Sequence, residues 1–189
     1  MPIDPFEERR KTLETEFFEK KNQDLLAKLR ATFQKKETLE GLKQATGITN
    51  EEVLNNLVAL NVSGQTMAAF ALYPLVEVAW ADGQIDDKER AAVLRAAAEA
   101  GVEVGSPAHA LLERALIEGP NENRRKAWFA YANELNQRLT GTERRVVREE
   151  LVRRARAVAE ASGGFLGIGR RVSAGEERVL GALADAFPD

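Results

Sequence analysis

Q-T-M-A-A-F-A-L-Y-P-L-V-E-V-A-W-A, Gln65 to Ala81, is apolar nearly all round, and the polar run D-G-Q-I-D-D-K-E, Asp82 to Glu89, follows it at once. A segment of this composition suits a helix enclosed on every side, so it belongs at the centre of a helical domain, bent where Pro74 removes a backbone donor. Its most apolar part, Met67 to Ala81, is broken by Pro74 and Glu77 and falls short of the roughly 20 residues that span a bilayer. It therefore reads as a buried core helix. Asp82-Gly83 ends it through a left-handed glycine, and Asp86 with Glu89 forms an acidic capping box that opens the next helix.

The same punctuation recurs outward from this centre. Upstream, Pro5 to about Thr46 reads as one long charged helix with a narrow apolar stripe, Phe6, Leu13 and Phe17, resumed at Leu26, Leu29 and Phe33. Gly47 caps it, Thr49 with Glu52 opens a short helix ending near Asn61, and Asn61 to Gly64 is a turn. Downstream, Gly101 and Gly105 make a loop, Ser106-Pro107 starts a helix of about three turns, and Gly119-Pro120 stops it. Asn121 to Leu139 places Trp128, Phe129, Tyr131 and Leu135 on one side of a helix. Thr140 with Glu143 opens an Arg-rich helix, and Ser173 with Glu176 opens the last one after a glycine-rich loop. These signals predict an all-α, compact bundle of about eight helices. Residues 1–61 form an N-terminal helical arm with a short helix, and residues 62–189 form the main domain.

Composition supports this class and excludes others. Of 189 residues, 44% are hydrophobic but only 6% aromatic, and runs rich in β-branched residues are missing, so little or no sheet is expected. The 27 basic and 30 acidic side chains leave a net charge of -3, too small for a global field that attracts nucleic acid. Absence of cysteine rules out disulfides, thiolate metal ligands and a cysteine nucleophile. The charged first 30 residues lack an apolar export segment, so a cytoplasmic location is expected.

Val78 to Glu89 carries the candidate chemistry. Asp82, Gly83, Ile85, Asp86 and Glu89 stand at positions 5, 6, 8, 9 and 12 of an EF-hand calcium loop, but Val78 and Trp80 occupy the first and third ligand positions. Asp82, the Gln84 carbonyl, Asp86 and Glu89 could still supply oxygens to a weak divalent cation, calcium or magnesium, completed by water or another helix. The alternative needs no ion: the same residues end one helix and cap the next, which stabilises the chain by about 1 kcal/mol. A degraded second copy follows, with V-A-E-A-S-G-G, Val158 to Gly164, and V-S-A-G-E, Val172 to Glu176, separated by seven inserted residues. Ser162 and Ser173 stand where the first copy has Asp82 and Asp86, while Glu176 keeps the place of Glu89.

The motif A-D-G-x-I-D-x-x-E between two helices, with its repeat, resembles the tellurite-resistance TerB family and its wider TerB-like superfamily over about Gln65 to Pro188. That resemblance implies a helical bundle whose acidic residues are proposed to bind metal, placed in stress-response assemblies near membranes rather than acting as an enzyme. On it, Asp82, Asp86 and Glu89 take the ligand role and Glu176 contributes, while Ser162 and Ser173 deprive a second site of its acids. Separately, F-E-E-R-R-K-T-L-E-T-E-F, Phe6 to Phe17, resembles the start of the F1-ATPase inhibitor zeta subunit, which implies a regulator whose arm engages a larger enzyme. Read from the residues alone, the arm is a solvated helix packing Phe6, Leu13, Phe17 and Phe33 on the domain or on a second copy.

Three further features carry less. Gly164 to Arg171 lacks the Lys-Ser/Thr ending of a phosphate loop and follows a helix rather than a strand. Its Phe165, Leu166 and Ile168, flanked by Arg170 and Arg171, could meet a protein partner or an anionic membrane surface, or fold back and be buried. Arg144, Arg145, Arg148, Arg153, Arg154 and Arg156 give one helix a basic face, but Glu143, Glu149 and Glu150 dilute it and no aromatic platform accompanies it, which argues against nucleic acid. His109, the only histidine, reads as a surface or packing residue without an acidic partner. The chain is thus expected to be a non-enzymatic interaction module.

Overall fold

Helix boundaries follow the capping residues. The computed structural model describes residues 20–21, 27–28, 31–32, 34–161 and 172–188, and among them every regular element is a helix. The first, α1, runs continuously over residues 34–46, and the described residues upstream of it are helical too. Gly47, at φ 69°, ends it, its N–H donating to the Lys43 carbonyl at 2.7 Å. α2 is Glu51–Ala59, and its N-cap is Asn50 rather than Thr49: the Asn50 carboxamide oxygen accepts from the N–H groups of Glu52 and Val53 at 3.1 and 3.4 Å. Asparagine one residue closer reaches the orphan donors that the threonine would have met.

The central apolar segment forms two helices, not one bent helix. α3, Met67–Ala71, ends at Leu72, where α4, Tyr73–Ala79, begins. Pro74 has no N–H to donate and its ring would crowd the carbonyl four residues back, so it sits in the first turn of a new helix, where neither defect matters. This division raises the count to nine among the described residues. The others are α5 (Asp87–Glu99), α6 (Pro107–Glu118), α7 (Glu122–Asn136), α8 (Gly141–Ala159) and α9 (Ala174–Asp185).

All seven residues of α4 are buried, and α3 and α5 to α9 all pack against it. The core extends from Leu42 and Ile48 through α2 (Val53, Leu54, Leu57) to Phe187, so the end of α1 and all of α2 share one core with the rest. Each such side chain contributes about 1.5–3 kcal/mol by leaving water. Trp128 ties α7 to α3 by donating from Nε1 to the Ala71 carbonyl at 3.2 Å, with the Phe129 and Phe187 rings edge-on to it. A Cβ on Gly64 would lie 2.8 Å from the Gly41 carbonyl oxygen, so glycine is what lets α1 settle on the turn before α3.

The two halves of the internal repeat become two helical hairpins, α4–α5 and α8–α9, with α8 packed against α4, α5 and α9. Equivalent positions are buried alike: Val78 and Val158, Ala79 and Ala159, Glu89 and Glu176, Val93 and Leu180, Ala96 and Leu183. No helix among the described residues is long and apolar enough to cross a membrane.

Candidate functional site

The hairpin junction is where the sequence concentrates its acidic residues. Gly83, at φ 93°, ends the segment after α4, and the Asp82 Oδ1 accepts from the Gln84 N–H at 3.0 Å. Asp86 and Glu89 close a reciprocal box: each side chain accepts from the other's backbone N–H at 2.8 Å. Ser173 and Glu176 repeat it at the start of α9, with the Ser173 Oγ accepting from the Glu176 N–H at 3.2 Å and the Glu176 carboxylate from the Ser173 N–H. Both glutamates are buried, 5% and 6% exposed, which marks them as parts of the packing as well as caps. A Cβ on Gly175 would stand 2.5 Å from the Ala81 carbonyl oxygen, so the first turn of α9 abuts the segment that leaves α4.

This abutment brings Glu176 near Glu89. Burial, above all, pushes the Glu89 carboxyl above its usual range, the Asp86 N–H opposes that, and the charges of Asp86, Asp82 and Glu176 add to the rise. Asp82, Asp86, Glu89 and Glu176 therefore do share one region. Among the described residues, no group of three or more carboxylates or imidazoles is placed to hold a metal ion. One oxygen on each of the four accepts from a backbone N–H. The two positions that lack EF-hand ligands serve packing instead. Val78 is fully buried, and Trp80 donates from Nε1 to the Leu116 carbonyl at 3.2 Å while its ring lies 3.5 Å from where a Gly119 Cβ would be.

A second charged group was legible only as an interruption of the apolar run. Glu77 of α4 is buried among apolar residues, and the Arg125 Nε of α7 donates to both its oxygens at 2.9 and 3.0 Å. Burial pushes the Glu77 carboxyl upward and Arg125 opposes it. Beside this pair the Tyr73 hydroxyl accepts from the Asn121 N–H at 2.7 Å and donates to the Asn121 carbonyl at 3.2 Å. The group joins α4 to the start of α7, and the space around it is filled by Pro74, Trp128, Phe129 and Leu183. A cavity of about 20 Å³ between Val62, Phe70, Tyr73 and Leu112 has room for one water molecule, not for a substrate.

His109 does have an acidic neighbour, the Glu113 carboxylate one turn on, 3.3 Å from Nδ1. The apolar candidates Phe6, Leu13, Phe17, Phe33, Phe165, Leu166 and Ile168 all lie outside the described residues. In the comparisons with known proteins, no protein-family model, no curated protein and no solved structure matches the chain.

Proposed function

We propose that this chain is a TerB-like, non-enzymatic interaction module that reaches a protein partner or a second copy through its N-terminal arm, within a stress-response or regulatory assembly. One observation carries the reading. Every residue described between Lys20 and Glu37 is helical and exposed, whereas Leu42, a little over one turn later, is fully buried. These described residues lie outside the core and leave their surface free for a partner. The TerB-like part rests on the two matched hairpins, whose capping boxes and buried glutamates coincide position by position. The acids of the junction act in this reading as clips between helices.

The same exposed stretch of the arm favours a second reading, a regulator or inhibitor that engages a larger enzyme. Both are tested by capturing partners with the full chain and with a chain lacking residues 1–30, which keeps Leu39 and Leu42 in the core. A stoichiometric partner that can be rebuilt from purified proteins and is lost on truncation supports the module. If that partner is an enzyme whose turnover falls on binding, the second reading takes over. No saturable partner for the full chain, or unchanged binding after truncation, overturns the proposal.

A further inference from the structure

One face of α8 points away from the core and carries charge at helical spacing. Arg145, Arg148, Val152 and Arg156 recur every three or four residues and so share a face, and Ala184 of α9 closes the trough beside them. The trough has a volume of about 480 Å³, and Glu149 and Arg153 complete its walls. Among the described residues, the four arginines of the trough outnumber the three carboxylates beside them, Glu149, Glu150 and Glu177, in a chain whose net charge is -3. The local excess is opposite in sign to the molecule as a whole, so anion binding here would report the trough and not a global field.

The arginines are not equally committed. Arg153 donates to Glu150 from Nε and Nη2 at 2.9 and 2.8 Å. Arg145 and Arg156 are held more loosely: their nearest paired carboxylate oxygens, on Glu149 and Glu177, are 3.9 and 3.8 Å away, beyond hydrogen-bond length. Each guanidinium offers five N–H donors, so both keep donors for another acceptor. Eleven residues of helix separate them by about 16 Å, and Val152 with Ala184 gives the interval an apolar floor.

We infer that this trough is a docking surface for an acidic helical segment of a partner polypeptide, whose carboxylates meet Arg145 and Arg156 and whose small apolar side chains lie on Val152 and Ala184. The inference rests on the reading of the chain as an interaction module and supplies it with a second contact, separate from the arm. A nucleic-acid strand fits less well, because Glu149 and Glu150 stand among the arginines and would oppose its regularly spaced phosphates, and no aromatic ring among the described residues lines the trough to stack a base.

The test is fluorescence polarisation with the full chain and three labelled probes: an alanine-based helical peptide of about 16 residues with glutamates eleven apart, its glutamine counterpart, and an oligothymidylate of equal length. The glutamate peptide should bind saturably at low salt, more weakly at about 0.15 M, and more tightly than the other two probes. Arg145→Glu with Arg156→Glu should weaken it about tenfold or more, a loss of about 1.4 kcal/mol. The charge-matched control, Arg114→Glu with Lys126→Glu, should leave it within about twofold, a small change on the same scale, and thermal melts would show that both variants fold. Binding that ignores the trough variant, no saturable peptide binding, or tighter binding of the oligonucleotide overturns the inference. Repeating the titration on the chain lacking residues 1–30 separates the two proposals: peptide binding that persists there stands whatever becomes of the arm.

Discussion

Two alanine substitutions in one helix, Gly175→Ala and Gly181→Ala, should move stability in opposite directions. Both glycines lie in α9, and neither has a positive φ, so backbone conformation does not demand glycine at either place. At Gly181 a Cβ would meet nothing within 4 Å. Alanine there gains the ordinary helix preference, about 0.5–1 kcal/mol. At Gly175 the Cβ would lie 2.5 Å from the Ala81 carbonyl oxygen and 3.2 Å from its carbon, and the obstacle is backbone rather than a side chain that could turn away. Relieving that clash requires α9 to withdraw from the end of α4, an overpacking cost of about 1–3 kcal/mol. For a chain of this size each kcal/mol moves the melting temperature by about 2–4 °C. Gly181→Ala should therefore raise it by a degree or more and Gly175→Ala lower it by several. Urea denaturation followed by far-UV circular dichroism, with the slope m checked for constancy, would give both values. A Gly175→Ala chain as stable as its parent would refute the close approach of α9 to Ala81, and with it the account of the junction.

The Glu77–Arg125 pair should be asymmetric. Arg125→Ala strands a buried carboxylate and should cost about 3–5 kcal/mol; Glu77→Gln leaves a half-exposed guanidinium that can turn to water and should cost about 1–2 kcal/mol, both read from denaturation midpoints. Asp86→Ala and Ser173→Ala should each remove about 1 kcal/mol as lost caps, and calorimetric titration of calcium or magnesium into chelator-treated protein should give no saturable heat. Saturable binding abolished by Asp82→Ala would establish the junction as a cation site instead. The Arg153 and Arg154 guanidiniums hold Glu150 down from 4.5 to about 2, so its ion pairs favour the folded chain above pH 4.5 and lose that effect as pH falls towards 2. The stability difference between the wild type and Glu150→Gln should shrink over that window. At pH 7 it should be below about 1 kcal/mol, and smaller in high salt, because the pair is exposed.

Much of the fold was legible because the signals are local. A capping box spans four residues, and a glycine with positive φ needs only its neighbours, so the boxes at Asp86, Thr140 and Ser173 and the glycine stops at Gly47, Gly83, Gly101, Gly105 and Gly119 all stand where the sequence puts them. Where two local signals compete, the reading slips. Thr49 and Asn50 both cap helices well, and in the folded chain Asn50 is the acceptor. Pro74 could have bent a helix or begun one, and the packing of Tyr73 and Pro74 among buried neighbours selected the second.

The site residues divide on the same line. Asp86, Glu89, Ser173 and Glu176 could be identified as caps from spacing alone, since both partners of each bond lie within one turn. Whether those carboxylates also converge on an ion depends on contacts between residues some ninety positions apart, and so does the need for glycine at 175, which reads in the sequence as a weak point in a helix. Glu77 is the clearest case. The sequence shows an acid in an apolar helix and nothing more, because its counter-charge, Arg125, arrives from a helix 48 residues away. Helix class, helix ends and the repeat were thus determined by the chain itself, through hydrogen bonds and side-chain periods that close within a few residues. Which charges are paired and which side chains are buried were decided only by tertiary structure, because burial and long-range pairing are properties of neighbours the linear sequence does not name.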